Sequence, residues 1–299
     1  MKSLTRLFVG FCACNALALI AFAGPEALPS GKEMVAPAPP PGCIWSGFYV
    51  GINGGYTWSD SERVDTVSRD VEPHSGFAGD VLYNIGAAEL ATFSLPNSND
   101  GFVGGGQVGY NQQFGRWFLL GVELDMQGIF DSDESTRADS SIAITGFPTM
   151  DIVQSARAFR EIDSIGTIRG RVGFTLMPCL LVYGTGGFAY GEVISRTDII
   201  QAVINDPVFL PNVYHAHGQW DNLRPGWTAG GGIEWMFMTH WSIKAEYLFY
   251  DLGRVNYQLS HLRNFSNATT PRTLFTDTAP TSTTRFQGNI VRGGLNFHF

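Results

Sequence analysis

The sequence predicts an all-β fold: an eight-stranded antiparallel up-and-down transmembrane β-barrel with long outer loops and short periplasmic turns. Three observations carry this. Eight segments alternate aromatic or apolar residues with glycine or polar residues, the period-2 mark of a strand with two unlike faces. The connections between them alternate short and long, which is the habit of an outer-membrane barrel; a soluble sandwich has no reason to sort its loops by parity. Glycine is concentrated inside the segments, which hold 27 of the 36 glycines in the chain. Composition narrows the field further. Of 299 residues, 44% are apolar and 15% charged, against about 25% charged in ordinary soluble domains, which excludes disorder for most of the chain. The net charge is −8 and only three lysines occur, which excludes non-specific nucleic-acid binding.

Residues 1–23 read as a signal peptide. Lys2 and Arg6 begin it, Leu7 to Ala23 is apolar, and Ala21-Phe22-Ala23 is a small-x-small cleavage site. Cleavage takes the net charge from −8 to −10, because it removes Lys2 and Arg6. Residues 24–44 form a proline-rich periplasmic spacer, since the successive prolines of 36–41 favour extended polyproline II. The barrel takes residues 45–299. No later run of 18 apolar residues occurs, so the membrane is not crossed by helices.

The eight segments are 45–58, 101–115, 117–130, 161–176, 180–193, 220–236, 241–253 and 286–299. Each exceeds the roughly 9–11 residues that a tilted strand needs to cross a bilayer. The short connections lie near Arg116, at Met177-Pro178-Cys179 and around Met238-Thr239-His240. The long ones cover 59–100, 131–160, 194–219 and 254–285.

All seven tryptophans fall near segment ends: Trp45, Trp117, Trp235 and Trp241 on the short-turn side, Trp58, Trp220 and Trp227 on the long-loop side. Two aromatic girdles at the two headgroup levels have this distribution. Alternation assigns the faces. Val122, Leu124 and Met126 oppose Glu123, Asp125 and Gln127; Ile168, Val172 and Phe174 oppose Arg169 and Arg171; Ile243, Ala245, Tyr247 and Phe249 oppose Lys244 and Glu246. An Arg or Lys on the lipid face costs about 2–4 kcal/mol at the midplane, so the charges face the lumen. There Glu123, Asp125, Glu234 and Glu246 balance Arg169, Arg171, Lys244 and Arg292, four against four. Pairing is expected between neighbouring strands: Glu123 and Asp125 with Arg169 and Arg171, and the other four among themselves. An eight-stranded barrel is just wide enough for side chains to fill it, so a balanced set acts as a plug. A selective pore would favour a ring of one sign.

Several stretches resemble the small outer-membrane immunogenic proteins of alphaproteobacteria, an opacity-like, porin-superfamily group. They are Trp45-Ser46-Gly47-Phe48-Tyr49-Val50-Gly51 with Gly54-Gly55-Tyr56, Gly101 to Tyr110 with Gly121-Val122-Glu123, 168–173, 181–190, 244–248 and 291–297. The resemblance covers essentially all eight strands and none of the long loops. It implies an integral eight-stranded barrel in a Gram-negative outer membrane with surface-exposed loops, and no agreed activity. Leu295, Phe297 and Phe299 share one face of the last strand, and a closing strand with a terminal aromatic resembles the recognition signal of the barrel-assembly machinery.

The first long loop carries a net −6 and the last a net +3, with Arg254, Arg263, Arg272 and Arg285 against Asp277. Mobile, solvated loops are the expectation. A lid formed between the two, or contact of the arginines with anionic lipopolysaccharide, are the alternatives. His74, His215, His217 and His261 lie in loops without a serine pattern, and His215-x-His217 lacks a third ligand, so neither an enzyme nor a metal site is expected. No cofactor is implied. Cys43 and Cys179 survive cleavage on the periplasmic side, where disulfides form. Their strands lie on opposite walls, so two free thiols are the expectation and a bond across the mouth the alternative. The expected role is structural and surface-presenting, in contact with outer-membrane lipids. The rivals are a small-solute porin and a loop-borne adhesin or receptor.

Overall fold

The computed structural model describes residues 43–59, 63–71, 78–98, 100–131, 135–144, 151–204, 213–265 and 274–299. The expected signal peptide, all but the end of the spacer, His74 and Arg272 lie outside the described residues.

Eight strands close a ring. They are β1 (Gly47–Ser59), β4 (Gly101–Phe114), β5 (Phe118–Asp131), β7 (Asp151–Met177), β8 (Leu180–Ile204), β9 (Val213–Met238), β10 (Trp241–Gln258) and β12 (Leu274–His298). Each pairs antiparallel with the next in that order, and β12 closes onto β1 from His298 opposite Tyr49 to Gly288 opposite Ser59. The last rung extends to Phe299, whose N–H donates to the Phe48 carbonyl at 3.0 Å. All eight expected segments are strands of this ring.

The face assignment follows the alternation. Val122, Leu124 and Met126 are exposed on the outside, while Glu123, Asp125 and Gln127 are buried within. Ile168, Val172 and Phe174 stand out beside the buried Arg169 and Arg171, as do Ile243 and Tyr247 beside Lys244 and Glu246. The turns on the short side are tight. Gly115 between β4 and β5 has φ +64, a conformation that glycine adopts without the steric cost other residues meet.

The long connections differ from the expectation of solvated loops. β7, β8, β9 and β12 run to 27, 25, 26 and 25 residues, about twice the 13 of β1. They rise past the membrane level and gain β2 (Arg63–Asp70), β3 (Phe93–Pro96), β6 (Thr136–Ala143) and β11 (Leu262–Phe265) as added strands. β2 pairs with β12 from Val64 opposite Thr284 to Asp70 opposite Thr278, so the first and last outer connections meet edge to edge. A helix, α1 (Ala78–Leu90), packs over this upper tier. The reason is a second apolar core: Tyr83, Ala87 and Ala91 are buried with Ile152, Ile199, Val203, Tyr214, Val255, Tyr257 and Leu262. Tyr83 and Tyr214 share a hydroxyl hydrogen bond at 2.8 Å. Gln154 donates to the Leu90 carbonyl at 2.7 Å, satisfying a group that the helix end leaves open, and Gln201 adds a second bond at 2.9 Å to the Ala87 carbonyl, which also accepts from the Ala91 N–H.

Candidate functional site

The barrel at membrane level has a polar interior, built by the inward parity of its strands. Each of the eight charged residues there is at most 6% exposed. They form one network. Arg169 pairs with Glu123, with Asp125 at 2.6 Å and with Glu246 at 3.1 Å. Arg292 reaches Glu246 at 2.6 Å and Asp125 at 3.0 Å. Lys244 lies 2.9 Å from Glu123 and 3.7 Å from Glu246. Arg171 pairs with Glu234, and lies 3.9 Å from Glu123.

The pairing pattern keeps part of the neighbour-to-neighbour expectation and corrects the rest. Glu123 and Asp125 do meet Arg169 on the adjoining strand, and Arg292 and Lys244 do meet Glu246, but five of the ten ion pairs among the eight groups join strands that are not neighbours. β5 and β10 are four strands apart either way round the ring, and Lys244 bridges them through Glu123. Arg292 of β12 reaches Asp125 of β5, and Arg171 of β7 reaches Glu234 of β9. Long side chains in a narrow bore reach the far wall as readily as the next strand.

Sequence reasoning missed several members of the network. Tyr49 donates to Glu123 at 2.6 Å and Tyr183 to Glu246 at 3.0 Å. The Arg171 guanidinium stacks 3.7 Å from the Tyr183 ring centroid. Asn296 and Ser242 donate to Glu234 at 2.7 and 2.5 Å. His298 is buried, 2.9 Å from Ser242. All sit at inward parity on the segments, and that was the signal that marked them.

Glycine makes room for these groups. Gly55 faces Arg292 across the β1–β12 pair, Gly294 faces Lys244, and Gly232 lies against Tyr183. A Cβ on Gly55 would lie 2.6 Å from the Arg292 Cα, and one on Gly232 would lie 2.8 Å from the Tyr183 hydroxyl.

The periplasmic end is closed by a separate device. Trp45 is fully buried, not in the girdle. Its indole N–H donates to the Pro178 carbonyl at 3.1 Å, and its ring packs with Leu119, Leu181, Tyr183 and Met236. Cys43 and Cys179 are disulfide-bonded, with Cα atoms 5.2 Å apart, where two free thiols were expected. The chain before β1 carries Trp45 inward under the lumen and so brings Cys43 to the β7–β8 turn. Trp220 is the second correction to the girdle: it turns inward against the upper apolar core. Trp58, Trp117, Trp227, Trp235 and Trp241 remain on the outside at the two membrane levels. Trp227 packs at a tilt against Phe249 with ring centroids 5.3 Å apart, and Trp241 packs edge-on against Phe297 at 5.1 Å. Leu295, Phe297 and Phe299 share the outer face at the periplasmic end of β12. His217 and His261 each sit 2.6 Å from an aspartate, Asp198 and Asp277, and His215 is exposed. Among the described residues no group of three or more His, Cys, Asp or Glu side chains is placed to hold a metal ion.

A closed eight-stranded ring with an apolar outer belt, aromatic rims and a polar interior defines an outer-membrane β-barrel. The chain belongs to the outer membrane protein β-barrel domain family, whose model matches residues 16–273. It is similar to a 31 kDa outer-membrane immunogenic protein of Brucella melitensis, 34% identical over 212 residues, which are 71% of this chain and 73% of that one. It is also similar to a 22 kDa outer membrane protein of Rhizobium leguminosarum, 27% identical over 191 residues, 63% of this chain and 71% of the other. The crystal structure of the outer membrane protein OprG from Pseudomonas aeruginosa aligns over 85% of this chain and 97% of that one, at 12% identity and a TM-score of 0.40. The protein is an outer-membrane barrel of an alphaproteobacterial family and resides in the cell outer membrane.

Proposed function

We propose that the protein is a structural barrel that strengthens the outer membrane and presents an ordered outer tier at the cell surface, with its lumen plugged by ion pairs. One observation carries this: the eight charged lumen groups join in a single network that ties opposite walls together. A bore filled in this way adds rigidity and leaves little room for a wide water path. The reading includes no catalysis. Nδ1 of His217 and of His261 lies against an aspartate, and among the described residues the histidine ring that meets a serine hydroxyl is His298 with Ser242, both buried at the periplasmic end of the lumen and away from the outer rim. Leu295, Phe297 and Phe299 serve as the recognition strand for the assembly machinery, and deleting Phe299 lowers outer-membrane yield; full yield would count against that role.

The test of the main reading is a deletion strain challenged with bile salts and large hydrophilic antibiotics. Loss of the barrier, restored by the wild-type gene, is the expected result. An unchanged barrier together with slowed uptake of small solutes would favour the porin alternative.

A further inference from the structure

We propose that the outer wall of the barrel, just beyond its aromatic girdle, binds the phosphate of an outer-leaflet lipid through Arg63, Arg254 and Arg285. The three arginines share the outward face of three adjacent strands at one level. Arg254 of β10 is directly opposite Arg285 of β12. Val64 of β2 is opposite Thr284, so the antiparallel register sets Arg63 beside Arg285. The Thr284 hydroxyl donates to the Arg63 carbonyl at 3.0 Å. Arg224 of β9, at inward parity opposite Gly191, is not part of the row and donates to the Arg254 carbonyl at 2.8 Å.

Like charges directly opposite in a sheet repel, so such a row calls for anions. Asp251 supplies one, 2.5 Å from Arg285. Asp65 and Asp221 lie on the same wall but form no ion pair with the row among the described residues. Among the described residues Arg63 and Arg254 form no ion pair, and both are exposed. Arg285 keeps 42% of its side-chain surface exposed even while paired.

The level of the row selects the anion. Trp227 and Phe249 mark the outer girdle, with ring centroids 5.3 Å apart. Asp251 of β10 is opposite Trp227, and Arg254 lies three residues beyond Asp251, roughly 10 Å along the strand, which is the headgroup layer above the hydrocarbon core. Guanidinium forks match phosphate oxygens in pairs. A phosphorylated lipid embedded in the outer leaflet presents its phosphate at this height, held there by its chains.

The experiment uses the full barrel in detergent micelles and measures binding of bis-phosphorylated lipid A, its dephosphorylated form, and inorganic phosphate. The wild type should bind the bis-phosphorylated lipid about tenfold more tightly than the dephosphorylated one. It should lose this preference in the Arg254→Ala/Arg285→Ala variant, and keep it in Arg137→Ala, which alters an arginine elsewhere on the outer tier. If the double alanine variant fails to fold by heat-modifiable gel mobility, Arg254→Lys/Arg285→Lys replaces it. That variant keeps the charge but loses the fork and should bind several-fold more weakly than wild type. Equal binding of the two lipids overturns the proposal, as does wild-type affinity in the folded variant. Binding of inorganic phosphate as tight as that of the lipid overturns the lipid as the source.

Discussion

Lys244→Met tests the network where it spans the bore most directly. Lys244 is 4% exposed, with its ammonium 2.9 Å from Glu123 on the opposite wall and 3.7 Å from Glu246. Coulomb's law gives the nearer pair about 6 kcal/mol at an effective dielectric of about 20, and about 1.4 kcal/mol in bulk water. Repulsion from the neighbouring arginines and the cost of drying the ammonium offset part of the larger figure. Removing one partner of a buried pair still costs about 3–5 kcal/mol, because the other is left buried without its counter-charge. Methionine keeps most of the volume, so the loss reports charge more than packing. Urea unfolding in lipid vesicles, read by gel mobility without boiling, measures it. A dry, plugged lumen predicts a loss of about 3–5 kcal/mol, and a loss in Lys244→Met/Glu123→Gln smaller than the sum of the two single variants. A loss below about 1 kcal/mol from a correctly folded variant would refute the reasoning, since only water in the bore screens the pair that well.

Three further predictions follow from other parts of the molecule. The disulfide closes a sequence separation of 136 residues, for which the chain-entropy account gives at most about 5 kcal/mol; unreduced mature protein should titrate no free thiol, and Cys43→Ser should unfold at lower urea. Gly55→Ala should cost about 1–3 kcal/mol by overpacking against the Arg292 backbone, whereas Gly104→Ala, whose nearest neighbour would be 3.9 Å away, should be close to neutral in the same assay. Asp251 accepts from Arg285 at 2.5 Å and from the Gly253 N–H at 2.9 Å. Asp251→Asn should lower the urea midpoint by the equivalent of about 1 kcal/mol, the upper end for a partly exposed pair; an unchanged midpoint counts against the pair.

The barrel was legible because its two faces meet different solvents, so each strand writes lipid contact and lumen contact in alternate letters. The balanced charge set was legible for the same reason. Partner choice was not, since reach across the bore depends on the curvature of the closed ring; Lys244 and Glu123 are 121 residues apart in the chain. The upper tier was hidden because its strands continue those below with less glycine and fewer aromatics, and because α1 is one short helix whose core face rests on Tyr83 and Ala87. Trp45 and Trp220 lie at segment ends, where sequence position cannot separate an inward from an outward indole. The disulfide depended on the path of the chain before β1, which Trp45 fixes by burying itself beneath the lumen. Glycine was the most informative residue: opposite Arg292 and Lys244 its missing side chain is the space the network occupies.

Conductance of the purified wild-type protein in planar lipid bilayers tests the plugged lumen most directly. The account predicts no stable open channels across the usual voltage range, and their appearance only when wall-to-wall pairs are removed, as in Lys244→Met combined with Arg292→Met. Stable, sustained channels from the unaltered protein would contradict it.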